Sequence, residues 1–281
     1  MVAVIGVALL SVMDAAMKAL VLAMGAYSAL LWRNLFGSLL SGVAYAASRP
    51  RRPTLTALKL HLERGVVVAF MALLFFWAIG VLPLAEAIAL SFIAPLIGLF
   101  LSAALLKERV HRSSIIASLL GLAGVVVIAW ARLGSGAHDD PRVPLAIAAV
   151  LGSALLFAYN LILTRKQAQA AKPGEIAFFQ TITVAMLLLL AAPWFAILPE
   201  REHWPLLVVA AGLSVGALHL FAWAYARGEA QLLIPTEYTA FVWAAACGWL
   251  FFDEAVTLPV LAGTALIVSG SAIVARAQGK S

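Results

Sequence analysis

The sequence predicts an all-α integral membrane protein whose ten transmembrane helices form two inverted five-helix repeats. Three observations lead to that prediction. Long stretches of the chain carry no ionisable side chain, the basic residues gather in alternate connecting segments, and the chain matches itself at one constant shift. Of 281 residues, 64% are hydrophobic and 11% are charged, against about 45–50% and about 25% in a soluble domain. Too few charges remain to coat a water-soluble body. The composition therefore excludes a soluble enzyme, a secreted disulfide scaffold and a disordered chain. One cysteine, Cys247, stands inside an apolar run and reads as a small buried hydrophobe.

Residues 66–85, 87–106, 113–131, 143–164, 176–199, 203–226 and 255–275 contain no Asp, Glu, Lys or Arg. A helix needs about 20 apolar residues to cross the hydrocarbon layer, so each run is long enough to span. Three further stretches span with a charge inside: 2–22 with Asp14 and Lys18, 26–47 with Arg33, and 230–252 with Glu237. The predicted spans are 2–22, 26–47, 64–82, 84–106, 113–132, 143–164, 175–198, 204–226, 230–252 and 255–275. The first is long enough to span and no small-residue cleavage site follows it, so it is expected to be retained rather than removed as a signal peptide. The runs lack the polar alternation of a membrane barrel.

Orientation follows from the basic residues. With the amino terminus in the cytoplasm, the inner segments hold Arg49, Arg51, Arg52, Lys59, Arg64, Lys107, Arg109, Arg112, Arg165, Lys166, Lys172, Arg227, Arg276 and Lys280, while the outer ones hold only Arg132, Arg142 and Arg201. Both termini are thus expected inside. The same scatter among short loops explains the net charge of +6 without a nucleic-acid partner. Segment 54–63 (TLTALKLHLE) mixes leucines with charges and is expected to lie along the inner interface before the third span.

At a shift of 146 residues, AVIGVALL at 3–10 meets AVLGSALL at 149–156, identical at six of eight positions. The same shift pairs Phe75 with Phe221, Trp77 with Trp223, Glu108 with Glu254 and Gly124 with Gly270. Low-complexity Ala/Leu matching does not pair tryptophan with tryptophan. The chain therefore reads as two five-span halves, 1–133 and 143–281, joined by an external linker at 134–142. Five is odd, so the halves are expected to be inverted: KERVHR at 107–112 is basic and inside, its counterpart DEAVTL at 253–258 acidic and outside. Inverted repeats recur in secondary transporters, with the substrate site between the halves.

The ten spans, the duplication, and the segments LPLAEAIALSFIAPLIGLFLSAALLKERV and GLAGVVVIA resemble the drug/metabolite transporter superfamily, in particular its EamA-type branch. The resemblance covers nearly the whole chain and is most specific where Pro95 and Glu108 match the family pattern; the second half departs from it with Phe241 where many members carry proline. The resemblance implies a bacterial inner-membrane exporter of amino acids or other small metabolites.

Charges inside spans need an explanation, because each costs about 2.5–3.5 kcal/mol at the bilayer centre on insertion scales. Asp14 and Lys18 stand one helical turn apart and are placed either to neutralise each other or to serve as a gate or proton site. Arg33, within two turns of the outer end, is expected to snorkel rather than to contact substrate. Glu237 is the most isolated charge and is a candidate for proton binding or for holding a substrate ammonium, with Tyr225 or His219 as the structural alternative partner. Glu86 is expected to be solvated, and Glu108 and Glu254 to be loop or cap residues. His219 is either a helix contact or a pH-sensitive cavity residue. Tyr159, Asn160 and Gln180 suit hydrogen bonds between helices or to an amino acid substrate. Phe76, Trp77, Trp223, Tyr225 and Tyr238 gather on the third, eighth and ninth spans, and suit an aromatic-lined cavity or lipid-facing packing.

No working Walker motif, HExxH, CxxC or GxGxxG is present. Neither an enzyme nor a metal or cofactor site is expected. The function predicted is a secondary transporter exporting small metabolites, above all aromatic or other neutral amino acids, by alternating access; its partners are the substrate, membrane lipid and protons. A transporter of another small metabolite or drug is the alternative, and a channel a more distant one.

Overall fold

The structure is a computed structural model that describes residues 2–47, 53–94, 96–98, 100–101, 112–134, 140–225 and 239–278. These residues form helices joined by short connections, and among them there is no strand. In chain order the helices are α1 (Val2–Ala47), α2 (Leu55–Ile79), α3 (Leu84–Ser91), α4 (Arg112–Gly134), α5 (Val143–Ala170), α6 (Pro173–Phe195), α7 (Trp204–Tyr225), α8 (Thr239–Phe252) and α9 (Leu258–Gln278). Five stretches, Val4–Ala47, Leu55–Ile79, Val143–Ala170, Pro173–Phe195 and Arg201–Leu220, are long and apolar enough to cross a membrane.

Helix α1 is two helices in one. At Gly25 the backbone turns with φ 79° and ψ 157°, a region open to glycine and hardly to any other residue. No heavy atom lies within 4 Å of a Cβ built there, so the requirement is one of backbone and not of space. Arms α1a (2–24) and α1b (26–47) each have spanning length. Together they pack against α7, α6 and α8, while α2 packs on α5 and α6, and α4 on α9. Met17, Leu20, Leu30, Leu31, Ile79 and Leu207 are fully buried in the resulting core. Outward-facing positions remain apolar, with Trp130, Leu190, Trp194 and Leu258 all more than two-thirds exposed. That surface suits hydrocarbon, since helices satisfy their own backbone and present only side chains to lipid. Between α4 and α9 the backbones themselves approach: a Cβ on Gly124 meets the Gly263 carbonyl oxygen at 2.4 Å.

One expectation is corrected. Segment 54–63 does not lie apart on the interface but is the first part of α2. Thr54 caps the helix by accepting from the Ala57 amide at 3.2 Å, and nothing between it and Gly65 breaks the run. Ala57, His61, Arg64 and Val68 recur at helical spacing and are buried, so tertiary packing against α5 and α6 takes the place of the membrane surface. The fourth span contains a turn: helical residues resume at 94, 96–98 and 100–101, and 102–106 lie outside the described residues. Helix α3 ends at Ser91, and Phe92 and Ile93 make a tight turn, with their amides donating to Ala89 and Leu90. Residue 95 is proline, which has no N–H to give the carbonyl four residues back.

Candidate functional site

Four charged side chains meet where the α2–α3 connection faces the α8–α9 connection. Lys18 of α1a, 4% exposed, donates to the Leu82 carbonyl at 2.8 Å and to the Glu254 carboxylate. The second Glu254 oxygen accepts from the Leu84 amide at 2.7 Å. The Phe252 ring lies 5.2 Å from the ammonium, within cation–π reach. Beside this pair, Arg132 of α4 sits 3.5 Å from Glu86 of α3, and the four charges sense one another.

Local sequence sets the geometry. Asp253 takes a left-handed φ of 55°, which an Asp tolerates, and the Glu254 amide then bonds back to the Gly248 carbonyl at 3.1 Å. Gly248 leaves room for this return, since a Cβ there comes 2.9 Å from the Glu254 carboxylate. Such a buried pair adds little net stability, because desolvation offsets attraction, but removing one partner costs about 3–5 kcal/mol. Lys18 therefore pairs with Glu254 and not with Asp14, Glu254 is no mere cap, and Glu86 is 5% exposed instead of solvated.

One turn below Lys18, Asp14 has a different counter-charge. Arg33 of α1b comes to the same turn, across the hairpin that Gly25 makes. Arg33 does not snorkel. Its Nη1 donates to the Met13 sulfur at 3.4 Å and its guanidinium lies 5.0 Å from the centre of the Phe76 ring, pointing into the bundle. Phe76 is 4% exposed, whereas Asp14 and Arg33 both keep accessible surface.

A second network occupies the far end of α2. Arg64 Nε donates to Asn160 Oδ1 at 2.9 Å and Arg64 Nη1 to Gln167 Oε1 at 2.5 Å. Gln167 Nε2 meets His61 Nδ1 at 2.5 Å, and His61 Nε2 meets Glu175 Oε1 at 3.0 Å. The imidazole stacks on Phe179 with ring centroids 4.7 Å apart. Because arginine only donates, the Gln167 oxygen must face it. Its amide nitrogen then donates to His61 Nδ1, which leaves the imidazole proton on Nε2, donated to Glu175. The chain of bonds has one direction throughout. Sequence reasoning missed His61, Arg64, Gln167 and Glu175; the signal was the helical spacing of residues 57, 61, 64 and 68.

The remaining candidates are dispersed. Tyr159 donates to Glu63 at 2.6 Å, and Gln180 on α6 has a buried oxygen without a partner among the described residues. His219 is exposed on α7, with Nδ1 2.8 Å from its own helix's Val215 carbonyl oxygen. Trp77 lines an apolar pocket of about 570 Å³ beside the Gly25 turn, with Met24, Tyr27, Phe70 and Phe195. Trp223 and Tyr225 stand in α7, but their side chains lie outside the described residues, as do Glu237 and Tyr238. Among the described residues the one group able to offer three metal ligands is Glu200, Glu202 and His203, a loop cluster with two exposed carboxylates.

The profile of the EamA-like transporter family matches residues 1–130 and again 144–276. The chain belongs to this family. As an EamA-type chain it is an integral membrane transporter, and its curated relatives carry transport names. It is 28% identical to the pseudopaline exporter CntI of Pseudomonas aeruginosa over 92% of this chain and 89% of that one. It is 29% identical to the aromatic amino acid exporter YddG of Ancylobacter novellus over 59% and 58%, and 23% identical to a riboflavin transporter of Brucella anthropi over 75% and 74%. One solved crystal structure, 22% identical, superposes with a TM-score of 0.65 over 99% of this chain and 96% of that one, which shows a shared fold.

Proposed function

We propose that this EamA-type transporter is a secondary exporter of small metabolites, above all neutral or aromatic amino acids, working by alternating access. On this reading ten helices form two inverted halves, 1–133 and 143–281, with both termini on the cytoplasmic side of a bacterial inner membrane and residues 134–142 outside. The twofold match of the family profile and the reciprocal packing of α2 on α5 and of α1 on α7 support that arrangement.

The observation that carries the proposal is the Lys18–Glu254 pair, which joins the two matched segments across 236 positions. On this reading it ties α1a to both outer connections and holds the outer side closed. Opening it separates two buried charges that water can then hydrate, a change between two discrete packings of the kind that rocking halves need. Trp223, Tyr225, His219, Glu237 and Tyr238 are proposed to border the cavity beneath, and Trp77 to contribute to substrate passage from its pocket beside the Gly25 turn. Glu237 is the first candidate to carry a coupling proton, ahead of Asp14 and His219; flow down the substrate's own gradient is the alternative.

Purified protein in proteoliposomes is expected to give saturable amino acid flux with no ATP present. Ohmic, non-saturable current contradicts the proposal and favours a channel. A second reading, export of a larger metabolite, is favoured by relatives named for pseudopaline and riboflavin; flux of such solutes with none of amino acids decides for it. Replacing Glu237 with Gln is expected to abolish pH-driven accumulation and to leave counterflow intact.

A further inference from the structure

We infer that Arg33 and Asp14 form a substrate-recognition pair for a zwitterionic amino-carboxylate, Arg33 taking the carboxylate and Asp14 the ammonium. The inference rests on the transporter reading above and names the substrate class of its site. Residues 14 and 33 lie about 16 Å and about 12 Å along their helices from the Gly25 turn at 1.5 Å per residue. Both are well within the span, where an ionised group without a purpose is costly.

Among the described residues, neither group is used up by the fold. A guanidinium has five N–H donors, and Arg33 gives one to a thioether sulfur, a weak acceptor. Arg33 reaches the turn that carries Asp14, through the neighbouring Met13, yet among the described residues the two make no ion-pair contact, unlike Lys18 with Glu254 or Arg142 with Asp140. The gap between opposite charges is what a ligand bearing both charges fills. Both residues keep some accessible surface, although α1 is packed by α2, α6, α7 and α8.

The rest of the surroundings fits the role. The Phe76 face beneath the guanidinium holds it in place, leaving its edge for bidentate carboxylate binding. Lys18 and Glu254 close directly above, one helical turn away, so the pair lies under the lock. Across the 146-residue shift Asp14 and Arg33 become Asn160 and Phe179, both engaged in the inner network. The two halves thus provide one such pair between them, enough for one ligand.

The test measures direct binding of radiolabelled L-phenylalanine, phenethylamine and hydrocinnamate to the purified full chain, with flux of the same solutes and of riboflavin measured in parallel. Unmodified protein is expected to bind phenylalanine about tenfold or more tightly than either analogue, the scale of one charged hydrogen-bonding group. Arg33→Gln should bring phenylalanine down to the level of phenethylamine while leaving phenethylamine unchanged. Asp14→Asn should bring it down to hydrocinnamate and leave hydrocinnamate unchanged. Equal binding of the three probes by unmodified protein, or equal loss of all three in each variant, overturns the assignment. Riboflavin flux persisting alongside equal binding leaves the transporter reading standing. The expected binding pattern without flux of any solute sinks that reading and keeps the pair.

Discussion

The charged lock and the inner polar network both join the two family-matched segments, yet they do so in different ways. In the lock, formal charges face each other on connections and helix ends, Lys18 with Glu254 and Arg132 with Glu86. In the network, one cation is relayed through two neutral amides and an imidazole to Glu175. Charge attraction has little angular demand and can be exchanged for water, so a lock can open and close. A directed chain of hydrogen bonds needs every donor and acceptor in register, and it is costly to break part-way. The first suits a moving contact and the second a fixed one.

The repeat sharpens the contrast. At the 146-residue shift, His61, Arg64, Gln167 and Glu175 become Leu207, Ala210, Val21 and Ala29, all buried apolar side chains. The corresponding contact of α1 with α7 is thus packed with hydrocarbon where the α2, α5 and α6 contact is polar. Lys18 and Arg132 become Thr164 and Gln278, while Glu254 becomes Glu108. The positions that correspond to Lys18 and Arg132 therefore carry no basic residue. The two family-matched segments thus carry different chemistry at corresponding positions.

The largest expected effect comes from breaking the network. Gln167→Leu leaves the Arg64 charge buried with one bond fewer and His61 without its donor, and should destabilise the protein by about 3 kcal/mol. A melting curve in detergent checks this; an unchanged midpoint contradicts the fixed-scaffold role. Breaking the lock should act differently. Glu254→Gln removes the charge but keeps an oxygen to accept from Lys18, and should lower stability by about 2 kcal/mol, less than full loss of the partner, whereas the double change Lys18→Met with Glu254→Leu should restore most of it. Both should raise labelling by an external thiol reagent of a cysteine placed beneath the lock, in a Cys247→Ala background. If the double variant melts as low as the single one, the pair is structural and no gate.

The smallest effect belongs to the exposed linker. Hydrogen bonds from the Arg142 side chain, then from its backbone, hold the Asp140 carboxyl at about 2, below its ordinary 3.8. A depressed folded-state value means a contribution present above pH 3.8 and lost as pH falls through about 2. Asp140→Asn should therefore melt slightly lower than the unmodified protein at neutral pH, with the difference vanishing near pH 2. A difference that grows on acidification contradicts the assignment.

Much of the architecture is legible in the sequence because a membrane leaves so few choices. Charge-free runs of spanning length mark the helices, and one glycine between two apolar runs marks the sharp reversal at residue 25. The partnerships are not legible. Helical spacing points from Asp14 to Lys18, four residues away, but tertiary packing brings Lys18 to a residue 236 positions distant and sets Asp14 against Arg33. Amphipathic 54–63 reads as interfacial because the sequence gives no sign that α5 and α6 offer Asn160, Gln167 and Glu175 to its polar face. The aromatic candidates fare unevenly: Phe76 sits under Arg33, while Trp77 turns to a separate pocket near the Gly25 turn.

On the proposed mechanism the contact of Lys18 with Glu254 opens in every transport cycle. The direct test places cysteines at positions 18 and 254 in the Cys247→Ala background and joins them with a short, reducible bis-thiol cross-linker in proteoliposomes. The account predicts saturable flux before cross-linking, its loss on cross-linking and its return on reduction. Flux that continues through the cross-linked protein would contradict it.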